Sequence, residues 1–389
     1  MSIRTSLWIA AGLAMAPAIA LGLARFAYAL LLPSMRTDLA WSYTDAGAMN
    51  TANALGYLVG ALIASQAATR FGAKRAFLAG LLLTAATLLA SGLTASFTWL
   101  IILRVIAGIT GAVAFVIGAA FTVAAVPRNK PASIPLAMGV YLGGGGLGIV
   151  ISALVVPPLL ALAGWRGGWI ILGAVSFLGA VVALPALRRI QAPAPRPQGD
   201  GQKGWSLRFL LPVVVSYGLF GAGYIAYMTF IVAYLRSRGL DAFDISVFWA
   251  CLGTASLIAA FLWSPLLARF KAGWGLVAAL GIVTTGALLP VVFDGKTAAF
   301  FSAWLFGGSF LAVVAAVTSF AGKAVKPHAL TAVIAALTVS FGLGQCIGPV
   351  LSGAISDGPH GVQTGLLLSA GILLIGAIVA IFQREPTLN

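Results

Sequence analysis

The sequence predicts an all-α polytopic membrane protein: twelve transmembrane helices arranged as two pseudo-symmetric six-helix bundles. Three observations carry this: repeated long apolar stretches, basic residues concentrated in the segments between and beyond them, and a direct repeat relating the two halves. Of 389 residues, 61% are hydrophobic and 8% charged, and the mean hydropathy is +1.05. Such a chain has too little polar surface for a soluble globule and too much apolar sequence for a single buried core. Crossing about 30 Å of hydrocarbon takes roughly 20 apolar residues. Twelve stretches qualify, at 7–32, 44–68, 76–96, 99–125, 133–161, 167–187, 208–234, 244–267, 274–293, 297–320, 329–355 and 362–382. Gly and Pro interrupt many of them, which membrane helices tolerate because neighbours satisfy the freed backbone groups. The first stretch is too long for a signal-peptide core and lacks a small-residue cleavage site, so it is expected to stay in the mature protein.

Charge placement orients the chain. Sixteen of the twenty-three Lys and Arg residues fall on the side that carries both termini, five fall opposite, and Arg25 and Arg104 lie within spans. The positive-inside rule therefore predicts cytoplasmic termini. A net charge of +15 could suggest nucleic acid, but no basic helix or aromatic-basic module is present, and no nucleic-acid partner is expected. Cys251 and Cys346 lie in apolar stretches without metal-ligand spacing to His328 or His360, so neither a metal nor another cofactor is expected.

The only long polar connection, 188–207, is rich in Pro and Gly, which is linker chemistry. It predicts an N-terminal bundle (1–187), a cytoplasmic linker (188–207) and a C-terminal bundle (208–389). A shift of 199 positions pairs Arg25 with Tyr224, Tyr28 with Tyr227, Asp45 with Asp244, Ser65 with Ser264, Arg70 with Arg269 and Phe71 with Phe270, without a gap. A parallel repeat implies a pseudo-twofold axis along the membrane normal and a site between the halves near the midplane. Ser42 with Asp45, and Asp241 with Asp244, have capping-box spacing at the start of the second span of each half. A proton-carrying role for Asp45 or Asp244 is the alternative reading of those acids.

Arg25 is the residue around which these spans are organised. An arginine is kept within a span only where the bundle offers a partner or a water-filled cavity, and it marks a functional site by default. All eight acids lie in loops, tails or span ends, so the cavity is expected to hold cations without a carboxylate to neutralise them. A negatively charged substrate would supply the missing counter-charge through paired hydrogen bonds to guanidinium. Tyr28 shares the face of Arg25 at i+3, and Tyr28, Tyr224 and Tyr227 offer aromatic walls with hydroxyls. Arg104, Tyr141, Asn53, Trp304 and Gln345 complete the candidate set. Trp304 stands near the repeat-equivalent of Arg104, opposing aromatic surface to charge, which suits an anion with an apolar part.

Particular motifs point to a family. Arg70-Phe71-Gly72-Ala73-Lys74-Arg75 after the second span, Arg104 with Gly108 and Gly111 in the fourth, and Gly164-Trp165-Arg166 before the sixth together resemble the major facilitator superfamily over the whole chain. Thr69 stands where that family's loop usually has aspartate, and no proline follows Gly143 to Gly146 where antiporters carry a Gly-Pro motif. Gly22 to Tyr28 and Gly342 to Pro349 are similar to the bacterial YbfB/YjiJ-type branch. The resemblance implies the major facilitator fold and a monomeric secondary transporter of the bacterial inner membrane, not an enzyme. With the arginine inventory, it predicts alternating access for a small, monocarboxylate-like organic anion, coupled to protons or to anion exchange. A proton-coupled multidrug exporter, and a receptor or assembly partner without transport, are the alternatives.

Overall fold

The computed structural model describes residues 2–127, 129–190, 207–325 and 327–385, and among these there is no strand. The first crossing, α1, runs through Ile3–Asp38. It is followed by α2 (Tyr43–Phe71), α3 (Ala73–Ser91) and α4 (Phe97–Ala124). Ile134–Arg189 is one helical run of 56 residues, about 84 Å at 1.5 Å per residue and far more than a bilayer holds. It turns at Gly164, whose φ of 60° and ψ of −166° suit a residue without Cβ, giving α5 (134–163) and α6 (165–189). The remaining helices are α7 (Leu207–Ser237), α8 (Ala242–Arg269), α9 (Trp274–Val292), α10 (Lys296–Ala324), α11 (Pro327–Ser356) and α12 (Val362–Ile381). The twelve crossings of this multi-pass membrane protein match the twelve expected stretches. The expected linker at 188–207 lies almost wholly outside the described residues.

Packing repeats with the sequence. In the first six helices α2 packs on α4, and α3 on α4 and α6; in the last six α8 packs on α10, and α9 on α10 and α12. The halves meet along two related seams, α5 against α8 and α2 against α11. Without a hydrophobic drive between helices in lipid, small residues that let backbones touch decide such contacts. At the α5–α8 seam a Cβ on Gly146 would sit 2.6 Å from the Gly253 carbonyl. At α2–α11 a Cβ on Gly47 would overlap the Pro349 carbonyl. One turn closer to the termini, a Cβ on Gly143 would meet Leu257 of α8 at an ordinary contact distance of 3.8 Å.

The start of α2 shows how the side opposite the termini is tied. Ser42 and Asp45 form the capping box that their spacing predicts, which satisfies the Asp45 N–H. The next two orphan donors of that helix end are met from the other half. Tyr43 N–H donates to Asp357 Oδ1 at 2.6 Å, and Thr44 N–H and Oγ1–H donate to Asp357 Oδ2 at 3.0 and 2.6 Å. Asp357 follows α11, so its carboxylate caps α2 across the seam and gains from that helix's positive end. Partial burial pushes its pKa up, but the donors from Thr44 and Tyr43, with Arg36 nearby, outweigh that and hold it below the usual carboxylate range.

Candidate functional site

The middle of α1 departs from the α-helical ladder. Ala18–Phe26 is π-helical, and Ala27 N–H bonds back five residues to the Gly22 carbonyl at 3.0 Å. It begins after Pro17, which has no N–H to give, and π-turns inside α-helices recur at functional sites. The segment ends at Arg25 and Phe26, against the C-terminal half.

Arg25 is 1% exposed. Its Nη2 donates to Gln345 Oε1 on α11 at 2.9 Å, and its guanidinium lies 5.4 Å from the centre of the Tyr57 ring on α2. Its Nε is buried with no hydrogen-bond partner. Because guanidinium only donates, the Gln345 oxygen must face it, which leaves Nε2 to donate to the Tyr224 hydroxyl on α7. Arg25, Gln345 and Tyr224 thus form one chain across the two halves. Among the described residues the ion pairs are Arg238 with Asp294 and Lys296 with Asp244, so Arg25 has no carboxylate partner there.

Arg104 is 2% exposed but differently served. It donates to the carbonyls of Ala24 and, at 3.3 Å, Met49, and to Asn50 Oδ1 at 3.2 Å. The rings of Tyr28 and Trp169 lie 5.1 and 5.5 Å from its Cζ, and the Tyr28 hydroxyl donates to the Ala46 carbonyl at 2.9 Å. Asn53 Nδ2 donates to the Arg104 carbonyl at 3.2 Å. Arg104, Tyr28 and Asn53 are therefore bound into the packing of the N-terminal half, and every guanidinium nitrogen of Arg104 is used.

The other candidates separate. Tyr141 donates to the Phe115 carbonyl at 2.5 Å and is fully buried between α4 and α5. Ser302 Oγ–H is directed to the Gly286 carbonyl at 2.6 Å, so the Tyr227 hydroxyl donates to Ser302, at 2.6 Å, within the C-terminal half. Trp304 is 46% exposed, one turn from Phe301 at 62%, on an outward stripe. The buried face of α10 runs through Ala303, Phe306, Gly307 and Phe310, and Trp304 lies about 100° from Ala303. It does not join Arg25. Asp45 accepts the Ser42 N–H and hydroxyl, and Asp244 accepts the Asp241 N–H and pairs with Lys296 at 2.8 Å. Both acids sit in the first turns of α2 and α8 with these caps made.

Two further residues belong to the site. Asn50 links Arg104 to Thr229 on α7 through Nδ2, at 2.6 Å, and Tyr57 faces Arg25. Asn50, Asn53 and Tyr57 are spaced i, i+3, i+7, a one-face pattern visible in the sequence. On α2 the exposed residues Leu55, Val59 and Leu62 mark the lipid side, and Tyr57 points about 200° from Leu55. On α11 Val339, Leu343 and Ile347 mark it, with Phe341 on the other side. Tyr57 and Phe341 are nevertheless only half-buried, so both rings keep exposed surface on helix faces turned away from lipid.

Comparisons agree on the kind of molecule this is. The family profile described as "Uncharacterised MFS-type transporter YbfB" matches residues 17–381. Human monocarboxylate transporter 11 is 28% identical over 272 residues, 63% of this chain and 55% of that protein, so the chain spans about half the length of that relative. Bovine monocarboxylate transporter 13 is 26% identical over 340 residues, 83% of this chain and 76% of that protein. Among solved structures, an inward-facing bacterial homologue of the human lysosomal transporter Spinster superposes with a TM-score of 0.72 at 17% identity, covering 98% of each chain. The nucleoside transporter NupG gives 0.71 at 15% identity, covering 98% of this chain and 99% of the other.

Proposed function

The chain belongs to the YbfB-type family of major facilitator transporters, and from that premise we propose that it is a secondary active transporter of a small, monocarboxylate-like organic anion working by alternating access. One observation carries the reading: the Arg25 guanidinium is buried where the halves meet, answered only by a neutral amide and a ring face, with Nε unpartnered. A cation so placed within the membrane costs several kcal/mol on insertion scales, and a carboxylate guest offsets that cost while making two-pronged hydrogen bonds. The two monocarboxylate transporters among the relatives support the same class.

The moving units are the two bundles, 1–187 and 208–389, rocking across the α2–α11 and α5–α8 seams over the guest. The bacterial inner membrane is the location, with both termini cytoplasmic, as the distribution of Lys and Arg supports; the protein acts as a monomer. Asp45 and Asp244 are committed to helix caps, so coupling runs through a proton carried by the substrate or through exchange against a second anion.

The test is uptake of radiolabelled monocarboxylates, short-chain and aromatic, into proteoliposomes, with and without a pH gradient, by wild type and Arg25→Gln. Wild-type uptake lost in the variant, with the variant still folded, supports the proposal. Equal uptake by both, or none by either, removes it.

A further inference from the structure

Arg25 is met by an aromatic layer that a small aliphatic anion does not need. On the C-terminal side Phe220, Tyr224 and Phe341 are offset-stacked, with centroids 4.8 to 5.8 Å apart and interplanar angles of 8 to 19°. The layer ends at the Tyr224 hydroxyl, which holds Gln345, which holds Arg25. From the N-terminal side Tyr57 brings a second ring to the same guanidinium. Tyr57 and Phe341 are the half-buried members, each on the face of its helix turned away from lipid. The Tyr57 ring and the Phe341 layer therefore flank the guanidinium and its Gln345–Tyr224 chain from the two halves.

Resting on the reading of Arg25 as an anion site, we infer that the transported anion is an aryl carboxylate, its carboxylate on Arg25 and its ring between Tyr57 and Phe341. The chemistry of the two ends divides the work. The guanidinium supplies paired donors for the carboxylate, including the Nε that has no partner without a guest. Gln345 can turn its amide from Arg25 to the guest, so the cation exchanges a neutral acceptor for a charged one. Flat rings favour a planar π-system over a puckered ring of the same size, because aromatic faces gain from offset stacking beyond area burial.

Equilibrium binding to the purified full-length protein, by isothermal titration, tests this with benzoate, cyclohexanecarboxylate, acetate and benzamide. Benzoate should bind about tenfold more tightly than cyclohexanecarboxylate, the scale that two favourable ring contacts allow. Phe341→Leu removes one of the two contacts and should cut that preference to about threefold. The ligand comparison on the wild type needs no variant and stands if Phe341→Leu misfolds. Equal or tighter cyclohexanecarboxylate binding overturns the aryl assignment and leaves the anion site intact. Benzamide binding as tightly as benzoate overturns the carboxylate requirement, and with it the reading of Arg25. No binding by any of the three carboxylates removes both.

Discussion

Arg25 and Arg104 are buried to the same degree in the same half, and their surroundings are opposite. Arg104 spends its guanidinium on two carbonyls and Asn50, under two rings, inside one bundle. Arg25 reaches across the seam to a single amide and keeps Nε idle. Satisfied charge in a membrane interior is structure; unsatisfied charge at an interface between moving halves is capacity for a ligand. The contrast teaches that burial alone does not mark a transport site, whereas the count of acceptors around the cation does.

Removing each arginine should expose the difference. Arg104→Ala strands two carbonyls and Asn50, and should cost about 3–5 kcal/mol, read as loss of folded monomer in fluorescence-detected size exclusion and a large fall in Tm. Arg25→Met removes a cation that has only one neutral acceptor. Its Tm should stay level or rise by a few degrees, while stabilisation by saturating benzoate disappears; a fall like that of Arg104→Ala would erase the contrast. Asn50→Leu cuts the polar link from Arg104 to Thr229 on α7 and should cost about 1–2 kcal/mol, seen in the same melting assay with ligand affinity near wild type. The smallest effect concerns the far side of the seam. Asp357→Asn should speed hydrogen exchange at the Tyr43 and Thr44 amides, relative to their intrinsic rates, with Tm nearly unchanged.

That last pair of amides also carries a pH dependence. The Asp357 pKa is lowered when it caps α2, so its contribution to the closed seam is complete above the ordinary carboxylate pKa and is lost as pH falls through the lowered value. Wild-type Tyr43 and Thr44 should lose protection on acidification, and Asp357→Asn should show no such step. A step that persists in the variant would place the titrating group elsewhere.

Much of this was legible from residue types. Twelve apolar stretches, the 199-position repeat and both capping boxes are local properties, and the helices follow them. Arg25 was legible because a charge inside a span is rare. Gln345 and Tyr224 were legible as candidates too, but their pairing with Arg25 was not, since Gln345 lies 320 residues away in the chain. Trp304 shows the limit of arguing from the repeat, since a position equivalent in sequence can still fall on the lipid-facing arc of its helix. The π-helical segment has no composition of its own, because its shifted ladder is held by packing against α5, where Gly22 meets Gly148.

The sequence by itself determined a polytopic bundle of two related halves carrying two cations within its spans, because the bilayer thickness and the cost of charge in hydrocarbon act on each segment separately. Only the tertiary structure decided which cation is answered. The acceptors that satisfy Arg104 are mostly main-chain carbonyls, a group every residue carries and no sequence pattern distinguishes, and helix packing alone determines where they point.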